Sequence, residues 1–411
     1  MSPLRVLKVL HGSPPDAMGG AGLIAGVLAV ALQEEGCEVA LAHPGSEGPS
    51  AWRGVPLHAA GVRRTRGFRG SWDAPDDAVT RMLHAFQPDV VHIHHLSGWP
   101  LALPALARAY GARVVVTLHD YAIPCARGQL VDRTGAVCTG PSVQTCSVCL
   151  SPYLGLPARL TGQPTRRDKA AVRRRLEQAA RALAAAHVRL APSTDLAERM
   201  MRMGTGPVHV EAIPLPAKIP AAPPPAPGPV RFLFCGSIIP TKGPHLLLRA
   251  FAQLASLDAT LTIVGPAPAY PPDPGYAQRL KSRADAHPRV HWAGPAPHGE
   301  ISHILRDHDV LVVPSTWPEN SPVIVREATA AGLRTITPAV GGSRELDPES
   351  RLIDTVGRWA EASLVEALVN ECNEGRRRRS IIPWPDPITC ARSLCDNWYR
   401  SESRATDADT D

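Results

Sequence analysis

"PLPAKIPAAPPPAPGP" occupies residues 214–229, and half of this stretch is proline. Proline has no amide hydrogen and favours extended polyproline geometry, so the stretch predicts a semi-rigid linker. The length of 411 residues agrees with this, because one ordinary domain contains about 100–200 residues. The linker therefore separates two folding units.

Short β-branched runs alternate with helical segments on both sides of the linker. This alternation is typical of parallel sheets with crossover helices, so we predict an α/β chain of two doubly wound, Rossmann-like domains that face a central cleft. In such domains ligands bind at the carboxyl ends of the strands. The predicted strands are RVLKVL, CEVALAH, DVVHIH, RVVVTLH, HVRLAPS and VHVEAIP before the linker, and VRFLFCG, ATLTIVG, RVHWAG, DVLVVPS and LRTITPA after it. The helices predicted before the linker are 21–35, 77–86, 99–110, 165–186 and 194–203.

The domain boundaries follow from the linker and from the composition near the carboxyl terminus. The amphipathic "ITCARSLCDNWYR" predicts a helix that packs back across a domain, and the polar "SESRATDADTD" beyond it is expected to be disordered. The predicted division is 1–213 for the amino-terminal domain, 214–229 for the linker, 230–387 for the carboxyl-terminal domain, 388–400 for the last helix and 401–411 for the tail.

Composition predicts a cytoplasmic protein. Apolar residues make up 44% of the chain and charged residues 20%, which is typical of a globular protein. The most apolar run, residues 19–32, is shorter than the roughly 18 residues of a membrane span and reads as a buried helix, not as a signal peptide. We therefore expect the nine cysteines to stay reduced unless they bind metal.

Basic residues are clustered, although the net charge is only +6. One cluster lies at residues 63–69. In residues 165–185 basic residues alternate with Ala and Leu at helical spacing, which suggests a helix lying on an anionic membrane surface. The four arginines 376–379 are interpreted as a solvated face. The mild net charge argues against a nucleic-acid partner.

The stretch "WPENSPVIVREATAAG" (317–332) carries two glutamates after a predicted strand. Ser321 is predicted as the N-cap of a helix with Pro322 at its first position. A turn that leads into a helix offers free backbone amides and the positive end of the helix dipole, which suit a diphosphate. The carboxylate of Glu327 can then accept hydrogen bonds from ribose hydroxyls, and Glu319 points beyond the phosphates.

Glycine turns follow the first predicted strand of each domain. In "GSIIPTKG" (236–243) Gly236 follows the strand and Lys242 precedes a helix, where its charge can neutralise phosphate. The amino-terminal domain has "GGAG" (19–22) at the corresponding place. Neither stretch completes the G-x-G-x-x-G pattern, which argues against a nicotinamide enzyme.

The pair Glu319 and Glu327 resembles the E-x(7)-E signature of the retaining glycosyltransferases of family 4, whose fold is GT-B. The resemblance extends over both domains, and its segments stand in the family's order. These segments are "GGAG", "PDVVHIHHLSG", "VVVTLHDY", "APSTDLAERM", "GSIIPTKG", "HDVLVVPS" with the glutamate stretch, and "GGSREL".

The resemblance implies roles for individual residues. Glu327 would hold the ribose of the donor nucleotide, Glu319 the donor sugar near its reacting carbon, and Lys242 the departing diphosphate. His119 would lie beside the donor sugar and the acceptor. The predicted catalytic residues are therefore His119, Glu319 and Lys242, and the predicted donor-binding residues are Gly19, Gly20, Gly236, Ser237, Lys242, Asn320, Ser321 and Glu327.

The resemblance also implies transfer of a hexose, with retention, from a UDP- or GDP-linked donor to a hydroxyl acceptor. This route needs no enzyme nucleophile and no metal, so catalysis rests on positioning and charge stabilisation. The family usually has arginine where this chain has Ser237, which leaves one cation fewer on the diphosphate. The basic helix suggests a lipid-linked glycan or another envelope polysaccharide as acceptor. The alternatives are a catalytically silent nucleotide-sugar-binding scaffold subunit and a GT-B nucleotide-sugar epimerase.

Four of the nine cysteines fall within one insertion, residues 125–149. The "ARGQLVDRTGAV" between the first two reads as a β-hairpin with a thiol at each side, a geometry that structural zinc accepts; free structural thiols are the equal alternative. The histidines of "HIHH" are interpreted as packing or cleft residues, because His92 and His94 share one face of a strand. The predicted zinc ligands are Cys125, Cys138, Cys146 and Cys149.

Overall fold

Two separate sheets organise the molecule. The computed structural model describes residues 2–14, 19–62, 77–254, 256–270, 273–355, 357 and 360–400. The predicted tail, 401–411, and the basic residues Arg63, Arg64, Arg66 and Arg69 lie outside these described residues. Within them the chain forms one eight-stranded and one six-stranded sheet, which confirms the predicted α/β fold of two doubly wound domains.

The first sheet contains the strands that precede the linker. They are β1 (Arg5–Val9), β2 (Glu38–His43), β3 (Ala51–Trp52), β4 (Val55–Ala59), β5 (Val90–Ile93), β6 (Arg113–Thr117), β7 (Val188–Ala191) and β8 (His209–Val210). Their order in space is β3-β4-β2-β1-β5-β6-β7-β8, and only the β3–β4 pair is antiparallel among the described strands. Alternate residues of β1 enter two apolar clusters, Leu7 and Val9 in one and Val6 in the other, so both faces of the sheet are covered.

The second sheet contains the strands that follow the linker. They are β9 (Val230–Cys235), β10 (Ala259–Val264), β11 (Val290–Gly294), β12 (Val310–Val312), β13 (Arg334–Pro338) and β14 (Arg351–Ile353). Their order in space is β11-β10-β9-β12-β13-β14, with parallel pairing throughout the described strands. The five strands predicted after the linker are all present, and β14 was not predicted.

Helices connect the strands in both halves, and each of the five predicted helices is present. Helix α3 begins four residues later than predicted, with Pro104 in its first turn, a position that proline tolerates well. None of the described helices combines the length and the apolar character needed to cross a membrane. The helices are α1 (Gly19–Glu34), α2 (Asp77–Phe86), α3 (Leu103–Tyr110), α4 (Val143–Cys149), α5 (Leu156–Thr161), α6 (Arg166–Ala185), α7 (Thr194–Arg202), α8 (Pro244–Ala252), α9 (Tyr276–Asp285), α10 (Ile301–Arg306), α11 (Val323–Ala331), α12 (Ala360–Asn373) and α13 (Pro387–Ser393).

Each sheet changes its winding direction beside its first strand. In the first sheet β1 lies between β2 and β5, and in the second β9 lies between β10 and β12. The loops that leave the two strands flanking such a switch point diverge, which opens a crevice at the carboxyl ends of the strands. The loops after β1, β5, β9 and β12 are therefore the places where a ligand is expected.

The last helix returns to the first domain. After α13 the chain forms one π-helical turn, Leu394–Tyr399, and the Tyr399 hydroxyl lies 2.5 Å from Nδ1 of His92. Cys395 Sγ lies 3.8 Å from Cys37 Sγ, and Arg392 donates two hydrogen bonds of 2.9 Å to Glu35 at the end of α1. The two domains are thus joined at this crossing as well as by the linker.

The arginines 376–379 do not form the solvated face predicted from the sequence. Arg376 donates to Asp309 at 2.9 Å, and Arg379 pairs with Asp347. Both carboxylates are buried, at 0% and 1% exposure. A buried carboxylate needs a partner charge, so Arg376 and Arg379 lie against the domain, and the prediction was wrong for them. Arg377 is exposed and pairs with Glu374.

Lys8 lies in the middle of β1 and is fully buried. Burial lowers the pKa of Lys8 to about 7. The unfolded chain keeps this proton up to pH ~10.4, so the contribution of Lys8 to the free energy of unfolding rises with pH between those two values.

We therefore expect Lys8→Met to exceed the wild type in stability at pH 7 by on the order of a few kcal/mol. The difference should shrink as the pH approaches about 10, because the unfolded wild-type chain then also loses the proton. Urea unfolding of both proteins across this range measures the difference. A difference that does not change with pH would contradict the prediction.

Candidate functional site

A lysine and a glutamate meet at the switch point of the second sheet. Lys242 follows β9, Glu319 follows β12, and Lys242 Nζ lies 2.5 Å from Glu319 Oε1. The same oxygen accepts hydrogen bonds from Ser315 Oγ at 2.6 Å and from Trp317 Nε1 at 3.1 Å. The other oxygen, Oε2, has no partner among the described residues, so Glu319 is held in place with one oxygen left for a ligand.

The second glutamate of the signature is held in a similar way. Glu327 lies in α11 and is 2% exposed. Its Oε1 lies 2.8 Å from Nε2 of His298, which is one-third exposed, and its Oε2 has no partner within the described part of the chain. Both glutamates are therefore fixed on one side by a basic group, and each keeps one oxygen that can accept hydrogen bonds.

Helix α11 begins one residue later than predicted. Its first residue is Val323 and its N-cap is Pro322, whereas Ser321 was predicted as the cap. The reason lies in the hydroxyl of Ser321, which accepts a hydrogen bond from Arg326 Nε at 2.8 Å and caps no backbone amide. The turn before the helix still leads into its amino-terminal end, where the amides and the dipole favour an anion.

The first domain brings His119 to the same region. Asn320 Nδ2 donates a hydrogen bond of 2.7 Å to the backbone oxygen of His119, across the two domains. His119 Nε2 lies 3.0 Å from Nδ1 of the buried His94. Burial lowers the pKa of His119 to about 3 and holds the pKa of His94 well below its usual range. Both rings are neutral at physiological pH, so one donates and the other accepts.

Three glycines allow close packing at the cleft. A Cβ on Gly20 would lie 3.4 Å from Val323, so the start of α1 packs against the start of α11 in the other domain. Gly341 has φ +92°, and a Cβ there would lie 2.4 Å from the backbone oxygen of Glu319. The amide of the following Gly342 donates a hydrogen bond of 2.7 Å to that oxygen. The turn that carries Glu319 therefore rests directly on residues 341–342.

A cavity of about 330 Å³ lies between the hairpin of the insertion and the glutamate turn. The hairpin forms as predicted, with an antiparallel bridge between Val131 and Val137. Gln129 crosses to the second domain, where its Nε2 donates to Thr241 Oγ1 at 2.9 Å. The walls of the cavity include polar groups of His95, Asp120, Arg127 and Gln129, together with Trp317.

The remaining predicted residues take different positions. Gly19 begins α1 with φ +56°, and Gly236 and Ser237 form the uncharged start of the turn before Lys242. The four cysteines of the insertion carry free thiols, and nowhere in the described residues do three or more potential ligands form a group able to hold a metal ion. As placed, the thiols do not fit a zinc ion, and the structural zinc stays a prediction.

Comparison with known proteins agrees with this geometry. The family model for glycosyltransferase family 4 matches residues 18–217, and the model for group 1 glycosyl transferases matches residues 217–372. The two matches adjoin and together span residues 18–372, which confirms the resemblance seen in the sequence. The chain belongs to these glycosyltransferases.

Curated relatives of this glycosyltransferase match only part of its length. A D-inositol 3-phosphate glycosyltransferase from Frankia alni is 35% identical over 119 residues, which make up 27% of this chain and 29% of the relative. D-inositol 3-phosphate glycosyltransferase 1 from Catenulispora acidiphila is 34% identical over 117 residues and is matched over 28% of its length. The matched region thus covers less than a third of the length of each relative.

Solved structures match the glycosyltransferase along nearly its whole length. Anabaena HepE, in complex with UDP and glucose, has a TM-score of 0.59 at 15% identity, with 95% of this chain and 98% of that chain covered. Sucrose-phosphate synthase from Thermosynechococcus elongatus has a TM-score of 0.60 at 16% identity, with 95% and 93% covered. The glycosyltransferase therefore has the GT-B fold that the sequence predicted.

Four contacts of the site were not found from the sequence. His298 follows β11, and its position after a strand could have suggested a role, since strand ends line the crevice. Ser315 and Trp317 lie inside the segments that carry the resemblance, yet their contacts to Glu319 depend on the fold of the turn. His94 was interpreted as a packing or cleft residue, and its contact with His119 gives it a place in the site.

Proposed function

We propose that this glycosyltransferase moves a hexose, with retention of configuration, from a UDP- or GDP-linked donor to a hydroxyl acceptor. It would use no metal and would act in the cytoplasm, at the inner face of the plasma membrane. The observation that carries this proposal is the convergence of Lys242, Glu319 and Glu327 at the switch point of one sheet, opposite His119 of the other domain.

The charges of the site suit a nucleotide diphosphate sugar. Lys242 is the one cation in the turn 236–243, so it would carry the charge stabilisation of the leaving diphosphate. Its contact with Glu319 would be exchanged for phosphate when the donor binds. The free oxygen of Glu327 would accept hydrogen bonds from the ribose, and that of Glu319 from the sugar.

His119 and the cavity define the acceptor side of this proposal. A neutral imidazole can accept or donate a hydrogen bond at the sugar without adding charge, which suits a route where the leaving phosphate takes the acceptor's proton. The cavity of about 330 Å³ offers Asp120, Arg127 and Gln129 to a hydroxylated molecule. We propose a lipid-linked or polysaccharide glycan as that molecule.

Donor binding provides the direct test. A UDP- or GDP-hexose should raise the melting temperature, because a ligand of the native state at 100 times its Kd adds about 2.7 kcal/mol to the free energy of unfolding. Glu327→Gln should weaken this binding by about tenfold or more, since a charge-assisted hydrogen bond is lost. Glu366→Gln, at an exposed carboxylate of α12, is the matched control and should bind as the wild type does. A panel of nucleotide sugars that leaves the melting temperature unchanged would contradict the proposal.

The reaction products distinguish the proposed transferase from a silent scaffold subunit and from an epimerase. A transferase releases nucleoside diphosphate from the donor, and this release should disappear in Glu319→Ala and His119→Ala. A silent scaffold subunit would bind the donor without any release. A nucleotide-sugar epimerase would convert the donor into an isomeric nucleotide sugar, which chromatography distinguishes from both.

A further inference from the structure

Large apolar side chains are exposed within one short stretch of the first domain, residues 148–160. Val148 is 48% exposed, Tyr153 49%, Leu156 64% and Leu160 77%. These four are half of the large apolar side chains exposed in the described part of the chain, and the other four are dispersed through later segments. Exposed apolar groups that gather in one place mark an interaction site.

A small core beneath the stretch fixes these side chains in their outward positions. Leu154 and Ala158 are buried and pack with Val172 of α6. Leu156 and Leu160 are about one helical turn apart on α5, with the inward-facing Ala158 between them. Both leucines therefore point away from the domain.

Basic side chains border the same stretch. Asp168 Oδ1, near the start of α6, accepts a hydrogen bond of 3.3 Å from the backbone amide of Gly155, which joins the starts of α5 and α6. On α6 the exposed side carries a single acid, Glu177. The exposed basic residues next to the apolar stretch in sequence are Arg159, Arg166, Arg167, Lys169, Arg173 and Arg174.

The apolar side of α6 is unavailable for contact with a bilayer. Val172, Ala179 and Leu183 are buried within the protein, so α6 presents only its charged side. The sequence pattern predicted that α6 itself would place apolar residues on a membrane. In the structure, residues 148–160 carry the exposed apolar side chains instead. The exposed side chains of residues 148–160 are mainly apolar and those of α6 mainly basic, and the fold places the two segments side by side.

We propose that residues 148–174 form a docking surface for an anionic lipid bilayer. The leucines and Tyr153 enter the interface between head groups and acyl chains, where aromatic and apolar side chains are stable. The arginines and the lysine contact the phosphates of the head groups, which adds electrostatic attraction to the apolar term. This charge complementarity favours a lipid surface over a second copy of the chain, whose same surface carries the same positive charge.

The surface lies beside the cavity on the acceptor side. Arg127, which lines that cavity, has Nη1 at 3.6 Å from Sγ of Cys149, the last residue of α4. Val148, the first of the exposed apolar residues, directly precedes this cysteine. A bilayer bound at the surface would therefore border the cavity, whatever acceptor the protein uses.

Flotation of the purified full-length protein with vesicles tests the proposal. We expect binding to vesicles that contain phosphatidylglycerol, weak binding to vesicles of phosphatidylcholine alone, and release at high salt. The double variant L156S/L160S should lower the bound fraction about tenfold, because two inserted side chains are lost. The double variant R173E/R174E should lower it to a similar degree and remove the preference for anionic lipid.

Leu352→Ser is the matched control. Leu352 is an exposed leucine, at 51%, in β14 of the other domain, and its replacement should leave vesicle binding unchanged. Light scattering on the same samples measures the oligomeric state. The proposal is overturned if the wild type does not bind anionic vesicles, if L156S/L160S binds as the wild type does, or if that variant dissociates an oligomer, which would make the surface a contact between copies.

Discussion

Replacing Glu319 by glutamine should lower the release of nucleoside diphosphate from the donor by about two orders of magnitude. A charge-assisted hydrogen bond contributes roughly 1.5–3 kcal/mol, and the Glu319 carboxylate would lose this contribution at the sugar, after Lys242 has moved to the diphosphate. Glutamine keeps the shape of the side chain, and it can still accept from Ser315 and Trp317. The loss should therefore appear in kcat, with a smaller change in KM.

Two further variants make this prediction specific. Glu366→Gln makes the same chemical change at an exposed position of α12 and should leave kcat unaltered. Lys242→Met should lower kcat strongly, and the double variant Glu319→Gln/Lys242→Met should lose less than the sum of the two single losses, because the two side chains contact each other. Losses that simply add would show that the two residues act separately. A Glu319→Gln enzyme with wild-type kcat would remove Glu319 from the chemistry.

The strands and helices with a clear local pattern of apolar residues were predicted correctly from the sequence. Strands such as β5 (VVHI) are short, fully buried runs rich in β-branched residues, and α1 is an apolar helix bounded by glycines, so both were located to within a few residues. The hairpin of β3 and β4 was missed, because the residues at its turn, Arg53 and Gly54, carry no usual turn signal. Both residues have positive φ, 49° and 84°. Arg-Gly is a weaker sequence signal for such a turn than Asn-Gly.

The contacts of the site were less predictable than its residues. The resemblance to the family identified Glu319, Glu327 and Lys242. It did not indicate that Lys242, Ser315 and Trp317 all contact the same oxygen of Glu319. The pairing of Glu327 with His298 joins positions that are distant in sequence, and it exists only because the loop after β11 lies against the middle of α11. The prediction of a solvated face at arginines 376–379 failed for the same reason, since Asp309 and Asp347, the buried partners of Arg376 and Arg379, lie in other segments.

Gly341→Ala should lower donor turnover about 100-fold while changing no side chain that would contact the donor. The residue has φ +92°, and a Cβ would lie 2.4 Å from the oxygen and 2.8 Å from the nitrogen of Glu319, where real Cβ contacts do not occur. The backbone of the glutamate turn must therefore shift. A displacement of about 1 Å in a positioned group can cost 100-fold in rate, so we expect a loss of about that size.

Gly111→Ala separates this effect from backbone strain. Gly111 ends α3 with φ +102°, and nothing lies within 4 Å of a Cβ built there. An alanine is strained at both positions, in the left-handed region at Gly111 (φ +102°, ψ 0°) and in a region essentially reserved for glycine at Gly341 (φ +92°, ψ 179°). Such strain costs about 1–3 kcal/mol, so both variants should melt at a lower temperature than the wild type. Only Gly341→Ala should lose turnover, because only its Cβ meets the turn that holds Glu319. Wild-type turnover in a folded Gly341→Ala protein would mean that the position of this turn does not control the reaction.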